Sequence, residues 1–187
     1  MATQFNQSEQ LAPHTSEARA SYSLVEVTTH SPASIISSAR ELLLEYGHFV
    51  AAQPSVASFC FGALKEEAAN LPQSYLDQDG GAILALADAH PIGFVAWRSL
   101  PAPELATAWE LKRLWIRPEG RGSGTGRKLV QAVLDRAKAN SKSAVLLDTA
   151  PVAMAAAYSL YLRLGFVECP SYNGRSLNGI VYMRKSL

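Results

Sequence analysis

The sequence reads RGSGTG from Arg121 to Gly126, and this short stretch decides how the rest of the chain is interpreted. Glycine occupies every second position there, so the main chain can approach a ligand closely and adopt conformations that a Cβ would forbid. A predicted strand precedes the stretch, and a segment with helical periodicity follows it. The first N–H groups of a helix have no intrahelical acceptor and carry partial positive charge. The stretch therefore predicts a cradle for a pyrophosphate.

Two other glycine-rich phosphate-binding motifs do not fit. A P-loop requires Lys and then Ser or Thr after its last glycine, and Gly126 is followed by Arg127. A dinucleotide-binding fingerprint is GxGxxG after the first strand, with an acidic residue ~20 positions later. The present pattern is GxGxG, it follows about four predicted strands, and it lacks that acidic partner. The remaining alternative is a flexible strand–helix connection whose basic neighbours Arg121, Arg127 and Lys128 are solvated.

Hydrophobic periodicity outlines the elements around the stretch. Strands are predicted at about 22–28, 82–87, 92–97, 107–117, 144–148, 166–172 and 179–184. Helices are predicted at about 31–52, 57–71, from 125 onward and at 152–164, with Ser31 as the cap of the first. The third helix carries one apolar stripe, formed by Leu129, Val130, Val133, Leu134 and Ala137. This order predicts one α/β domain over residues 21–187, a mixed sheet flanked by helices, after a polar and mobile tail over residues 1–20.

Composition and charge exclude several classes of function. The chain has 187 residues, 48% apolar and 18% charged, which is typical of a globular protein. Its net charge of +1 gives no reason to expect nucleic acid or an anionic membrane as a partner. No apolar stretch reaches the ~18 residues of a membrane span. The four histidines lack metal-ligand spacing, so no metal site is predicted.

The start of the chain and the cysteines indicate a cellular location. The first residues contain neither a basic nor an apolar region of the kind found in secretory signals. Cys60 and Cys169 are far apart and form no CxxC motif, as expected of reduced thiols. A cytoplasmic protein is therefore predicted.

Two segments resemble signature motifs of the GNAT superfamily of N-acetyltransferases. Residues 121–126 are similar to its (Q/R)xxGx(G/A) motif, and AYSLYLRLGF over residues 157–166 resembles its AxxLYxxxGF pattern. The resemblance implies a GNAT fold, in which a mixed and mostly antiparallel sheet of about seven strands is flanked by four helices. It implies an N-acetyltransferase that uses acetyl-CoA as co-substrate. The acyl group would pass to a primary amine by direct attack in a ternary complex.

The resemblance also implies the cofactor site. Backbone groups of Leu114 and Ile116 are expected to bind the pantetheine arm like an added strand, and strands 110–117 and 144–149 are expected to separate around the thioester. Met154 departs from the family, since many members have a cofactor-binding Asn at that position. The expected cofactor-binding residues are Leu114, Trp115, Ile116, Arg121, Gly122, Ser123, Gly124, Thr125, Gly126 and Arg127.

The catalytic residues follow from the same resemblance. Tyr161 occupies the LY position, from which the hydroxyl reaches the CoA sulfur, and is the candidate general acid. Tyr158, one turn earlier, is the second candidate, and helical spacing also allows both to be core residues. Glu110 is the candidate general base, with an ordinary ion pair to Lys112 as the alternative. Asp148 could instead bind or deprotonate the amine, or cap the following helix.

Other questions stay open at this point. Arg113 and Arg117 are expected to be solvated strand charges. The acceptor is a small-molecule amine or a peptide or protein amine, and no motif decides between them. Dimers are common in the family, but no residue here identifies an interface. Two other functions are a catalytically silent CoA-binding sensor or structural module, and a nucleotide-binding oxidoreductase that would prefer NAD to CoA.

Overall fold

The chain folds around one seven-stranded sheet in the computed structural model, which describes residues 22–53, 64–175 and 177–187. The strands are β1 (Tyr22–Val27), β2 (Gly81–Ala87), β3 (His90–Ser99), β4 (Ala108–Ile116), β5 (Ala144–Thr149), β6 (Val167–Cys169) and β7 (Val181–Ser186). Their order across the sheet is β1-β2-β3-β4-β5-β7-β6. The β4–β5 pair is parallel and the other pairs are antiparallel. The predicted mixed, mostly antiparallel sheet is confirmed.

Besides two single-turn 3₁₀ helices, five α-helical segments accompany the sheet in the described part of the chain, one more than predicted. They are α1 (Ala33–Ala51), residues 64–69, α2 (Gln73–Leu76), α3 (Thr125–Ala139) and α4 (Ala155–Arg163). The additional helix is the short α2, which starts directly after Pro72. Part of the predicted 57–71 helix, the predicted tail over residues 1–20 and Cys60 lie outside the described residues. The boundary between tail and domain stays a prediction.

Helices cover both faces of the sheet, which explains why strands such as Ala144–Thr149 are almost continuously buried. Successive residues of a strand point to opposite faces. Thus Ile83 and Val95 pack with α3 and α4, while Leu84 and Phe94 belong to the separate cluster formed with α1 and residues 64–75. The five residues of the predicted apolar stripe on α3 are all buried, so that prediction is confirmed.

Two local predictions need correction. The predicted strands 82–87 and 92–97 leave four residues for the turn between them, whereas β2 and β3 are joined by a two-residue hairpin at Asp88 and Ala89, whose φ angles are 47° and 66°. Positive φ at both central residues matches the twist of a two-residue hairpin. Ser31 does not cap α1, because Pro32 occupies the N-cap position. The Ser31 hydroxyl accepts the N–H of Thr28 at 2.9 Å and thereby closes the preceding turn.

A bulge in β4 bends the strand where the site is formed. In the register of β3 with β4, one residue of β3 faces two residues of β4, Arg113 and Leu114. Arg113 has a φ of 59°, and an extra residue of this kind bends a strand and interrupts its ladder. On the other edge, pairing of β4 with β5 stops at Glu110 and Leu146, although both strands continue. The predicted separation of these two parallel strands is confirmed.

None of the helices in the described ranges combines the length and apolar character that a membrane span requires. Within the same ranges, no three His, Cys, Asp or Glu side chains are grouped so that they could hold a metal ion. Cys169 is a free thiol.

Candidate active site

The glycine stretch follows the end of β4 and starts α3. Gly122 and Gly124 have φ angles of 78° and 83°, which glycine adopts without the strain of a Cβ. Gly124 is the N-cap of α3. The Ser123 hydroxyl donates to the carbonyl oxygen of Gly120 at 2.7 Å and lies 2.7 Å from the hydroxyl of Thr125. These side-chain contacts hold the loop together, so its backbone groups remain available.

The loop presents a row of unused backbone donors. The N–H groups of residues 122–127 have no hydrogen-bond acceptor within the described residues, and the first N–H bonded back to the loop is that of Lys128, to Gly124 at 3.1 Å. A Cβ added at Gly122 or Gly124 would meet no atom within 4 Å. Open space therefore lies in front of donors at the positive end of a helix. This arrangement fits a pyrophosphate.

A cavity of about 570 Å³ lies in front of these donors, between the end of β4 and helices α1, α3 and α4. Its walls include Tyr46 and Phe49 from α1 and Leu160 from α4. Three arginines also line it: Arg121, Arg127 and Arg163. No described acidic residue is part of the wall. Basic and apolar walls together fit a ligand with phosphates at one end and an uncharged arm at the other.

The edge of β4 offers hydrogen-bonding groups to this cavity. The N–H of Arg117 bonds the carbonyl oxygen of Ile92 at 2.9 Å, on the β3 side. Backbone groups alternate between the two edges of a strand, so those of Leu114 and Ile116 point toward the other edge. The Ile116 carbonyl accepts a hydrogen bond there from Nε of Arg121 at 3.0 Å. These are the groups expected to bind the pantetheine arm, and that binding stays a prediction.

Helix α1 anchors the end of β4 through Glu45. The Glu45 carboxylate accepts from Nε1 of Trp115 at 3.0 Å and pairs with Arg117 at 2.6 Å, while Glu41 pairs with Arg117 at 2.7 Å. The guanidinium of Arg121 lies 5.1 Å from the centre of the Trp115 ring. The expectation that Arg117 is a solvated charge is wrong, because its partners come from a helix distant in sequence.

Arg113 is also buried and paired, and the expectation of a solvated charge is wrong here too. Its Nε and Nη2 donate to the two carboxylate oxygens of Glu67 at 3.1 and 2.9 Å. The Tyr75 hydroxyl donates to the same carboxylate. The Arg113 side chain is only 12% exposed. The bulge of β4 is therefore fastened to the helix over residues 64–69 by an ion pair of two hydrogen bonds.

Tyr161 lies on the buried face of α4 and is 5% exposed. Its hydroxyl forms no hydrogen bond within the described residues. Burial raises the pKa of Tyr161 well above its ordinary value of 10.0, and the negative charge of Asp148 raises it further. The group therefore keeps its proton at neutral pH. The hydroxyl of Tyr158, by contrast, donates to Glu168 at 2.5 Å on the exposed side of the helix.

Glu110 is the centre of a polar network. Its carboxylate accepts hydrogen bonds from Nε of Arg98 at 2.8 Å, Nζ of Lys112 at 3.1 Å and the hydroxyl of Tyr172 at 2.9 Å. Burial alone would raise the pKa of Glu110, but the charges of Lys112 and Arg98 outweigh it and lower the pKa below the ordinary 4.5. The anticipated ion pair with Lys112 is confirmed, whereas the base role of Glu110 stays a prediction.

The lowered pKa of Glu110 predicts how acid destabilises the fold. A carboxyl group with a depressed folded-state pKa stabilises the protein above its unfolded pKa, and that contribution is lost as the pH falls through the folded value. We expect the free energy of unfolding to decline below about pH 4.5, and Glu110→Gln to reduce that decline. Urea unfolding at several pH values measures it, with Glu104→Gln as an exposed control. An equal decline in both variants would contradict the prediction.

Asp148 lies where β5 has separated from β4. Its side chain is 36% exposed, and one carboxylate oxygen is 3.7 Å from Nζ of Lys112. Lys112 therefore contacts Glu110 on its own strand and Asp148 on the neighbouring strand. Of the two acidic side chains at this opening, Asp148 is the more accessible to a second substrate.

Comparison with known proteins decides the family. The model of the acetyltransferase (GNAT) family matches residues 46–166. This chain belongs to the GNAT family. An uncharacterised N-acetyltransferase of Schizosaccharomyces pombe is 31% identical over 126 residues, 66% of this chain and 74% of that protein. The N-acetylaspartate synthetase of Rattus norvegicus is 35% identical over 105 residues, which cover 56% of this chain but only 34% of that protein.

Solved structures show the same fold. A GNAT-family acetyltransferase from Staphylococcus aureus has a TM-score of 0.68 at 17% identity, covering 89% of this chain and 99% of that one. A Salmonella typhimurium protein solved with its cofactor acetyl-CoA also has a TM-score of 0.68, at 15% identity, covering 89% and 94% of the two chains. The GNAT fold predicted from the sequence is therefore confirmed.

In this GNAT protein, most of the predicted cofactor residues come together. Eight of the ten line the cavity in front of the loop, and Trp115 and Ser123 do not. Trp115 contacts the guanidinium of Arg121, and Ser123 turns back toward the loop. Lys128, expected beside the loop, lies over the ring of Tyr22 at 3.7 Å and does not line the cavity. Direct binding by each of the ten residues stays a prediction.

Several site residues were not predicted from the sequence. Tyr46 and Phe49 are three positions apart on α1, which puts them on one helix face, but no motif connects that face with the cavity. Arg163 lies within the AxxLYxxxGF segment, so its position could have indicated a role. Arg98 and Tyr172 carry no local signal, because they meet Glu110 only in the folded chain.

Proposed function

We propose that this GNAT protein transfers the acetyl group of acetyl-CoA to a primary amine by direct attack in a ternary complex. The observation that carries the proposal is the row of unused N–H groups over residues 122–127, which faces a basic and partly apolar cavity. That cavity adjoins the edge where β4 separates from β5. A cytoplasmic location and a homodimer remain part of the proposal, without a residue that carries either.

The chemistry sets what the side chains must do. Acetyl-CoA supplies an activated acyl carbon and a thiolate leaving group. A C–N bond forms as the C–S bond breaks, the amine loses one proton, and the sulfur gains one. An amine of pKa ~10.4 is neutral in about one molecule in 2,500 at pH 7, a handicap of roughly 4.6 kcal/mol. A positioned acid and base typically recover about 10²- to 10⁴-fold of rate each.

Tyr161 is proposed to donate the proton to the sulfur, because it stands in the LY position of the AxxLYxxxGF segment and its hydroxyl bonds no other described residue. For the base, the structure favours a second candidate over the one predicted from the sequence. Three donors already occupy the Glu110 carboxylate, whereas Asp148 is more exposed and, among the described residues, has one longer ionic contact, with Lys112. We propose Asp148 as the proton acceptor and keep Glu110 as its rival.

The two bases are distinguished by paired variants. We expect Asp148→Asn to lower kcat by about 10²-fold or more. Glu110→Gln should lower kcat less and act mainly on the KM of the amine, because it disturbs the charges around the acceptor. Steady-state kinetics from pH 6 to 9 measure both. The larger kcat loss in Glu110→Gln would instead assign the base to Glu110.

A further test examines cofactor binding and turnover together. We expect acetyl-CoA to raise the melting temperature in a concentration-dependent manner and CoA thiol to be released with some amine in a panel. Gly124→Ala should weaken acetyl-CoA binding by about tenfold or more, roughly 1.4 kcal/mol. The reason is that its Cβ enters the open space in front of the loop.

Gly179→Ala is the matched control. Gly179 has a φ of 79° and open space around it, so the variant carries the same backbone strain without touching the loop. Binding of acetyl-CoA without thiol release on any amine would favour the silent sensor or structural module. Stronger stabilisation by NAD than by acetyl-CoA would favour the oxidoreductase. If both glycine variants lost acetyl-CoA binding equally, the loss could not be assigned to the loop, and the loop would not be the cofactor-binding element.

A further inference from the structure

A second cavity, of about 430 Å³, lies between the helices over residues 64–76 and strands β3 and β4. Its described lining consists of six charged side chains, four uncharged polar ones and one tyrosine, without a single aliphatic residue. The cavity beside the glycine loop is basic and partly apolar, so the two cavities are suited to different kinds of ligand. The second one suits a small hydrophilic molecule.

Lys112 connects this second cavity with the opening between β4 and β5. Its side chain lines the cavity, and its Nζ lies 3.1 Å from Glu110 and 3.7 Å from Asp148. Asp148 stands on β5 beyond the last residue that pairs with β4. One lysine side chain therefore borders both the cavity and the opening at which the acetyl group is proposed to be transferred.

The positive charges of this cavity are already neutralised. Arg113 is paired with Glu67 through two hydrogen bonds, and Arg98 and Lys112 share the carboxylate of Glu110. Each of these three cations already has a carboxylate partner within hydrogen-bond distance. An acidic acceptor would therefore gain less from them than from unpaired cations.

The unpaired charges of the cavity are negative. Glu66 and Asp77 are exposed on its wall, and neither has an ion-pair partner among the described residues. Ser74, a residue of the same lining, has a buried hydroxyl oxygen that forms no hydrogen bond in the described part of the chain. A buried hydroxyl without a partner costs free energy.

We propose that this cavity binds the amine acceptor, and that the acceptor is a small aliphatic diamine or polyamine. One amine would reach the opening beside Asp148, and the second, as an ammonium, would be held by Glu66 and Asp77. This assignment rests on the proposed acetyl transfer and names its substrate class. Exposed ion pairs are individually weak, so the second charge should contribute several-fold to about tenfold in kcat/KM.

The test compares three probes of similar length under saturating acetyl-CoA: diaminobutane, butylamine and aminobutyrate. We expect diaminobutane to have the highest kcat/KM, aminobutyrate the lowest, and the advantage of the diamine over butylamine to shrink as salt is added. The double variant Glu66→Gln/Asp77→Asn should bring the diamine-to-monoamine ratio close to one. A second double variant, Glu104→Gln/Asp135→Asn, removes the same number of exposed charges outside the cavity and should keep the ratio.

Three results would overturn the assignment: butylamine equal to diaminobutane, aminobutyrate preferred, or a diamine advantage that survives Glu66→Gln/Asp77→Asn. In each of these cases CoA release with some amine still supports acetyl transfer, so only the acceptor class fails. If acetyl-CoA binds and no amine releases CoA, the proposed function itself fails, and this assignment fails with it.

Discussion

Replacing Tyr161 by phenylalanine is expected to lower kcat by about 10²- to 10⁴-fold while leaving the Kd of acetyl-CoA unchanged. The ring of Tyr161 packs against Phe166 at a centroid distance of 5.6 Å, and phenylalanine preserves that contact. The hydroxyl makes no hydrogen bond to another described residue, so its removal breaks none in that part of the chain. A loss of rate would therefore reflect a lost proton donor and not a damaged fold.

Steady-state kinetics and calorimetric titration with acetyl-CoA measure the two quantities separately. Tyr158→Phe is the matched control, since Tyr158 lies one turn away on α4 and its hydroxyl bonds Glu168 outside the cavity. That variant should keep kcat within about twofold, as expected for an exposed hydrogen bond. Wild-type kcat in Tyr161→Phe would assign Tyr161 to the core, the alternative that its helical spacing also allows.

Replacing Glu67 by alanine is expected to lower the free energy of unfolding by about 3–5 kcal/mol. The change leaves the guanidinium of Arg113 buried without its carboxylate partner. Burial alone would lower the pKa of Arg113, yet its bonds and charge interaction with Glu67 more than reverse this and raise the pKa. The Tyr75 hydroxyl would lose its acceptor at the same time. Urea or thermal unfolding measures the loss.

Two further variants test whether the unpaired charge of Arg113 causes this loss of stability. Glu66→Ala removes the neighbouring exposed carboxylate and should change stability by no more than about 0.5 kcal/mol. The double variant Glu67→Ala/Arg113→Gly also removes the stranded charge and places glycine at a φ of 59°, which glycine tolerates. It should be more stable than Glu67→Ala alone. A Glu67→Ala protein within about 1 kcal/mol of wild type would show that the pair does not hold the bulge.

The fold and the cofactor cavity were largely predictable because their signals are local. The conformation of a glycine loop before an amphipathic helix depends mainly on residues within the loop and the first turn of the helix. Gly122 and Gly124 have the positive φ angles that this pattern suggests. The stripe on α3 and the buried run of β5 follow from the periodicities of helix and strand in the same way. Residues 157–166 carry the second motif within one helix and its following turn.

The charged side chains were not predictable in the same way. From the sequence, Arg113 and Arg117 are expected to be ordinary exposed charges on a strand. Their partners, Glu67 and Glu45, lie far away in the sequence and come close only when the helices pack on β4. Glu110 could be singled out from the resemblance. The sequence did not indicate that Arg98 and Tyr172 would join Lys112 around its carboxylate.

The sequence by itself thus determined the element order, the glycine loop and the GNAT family, since each depends on neighbours within a few residues or on a linear motif. Only the tertiary structure decided which acidic residue at the opening is accessible, how the β4 bulge is held, and that a mostly polar cavity adjoins Lys112. Those features arise from contacts between elements far apart in the chain. Their energies depend on burial and on pairing, which no local pattern records.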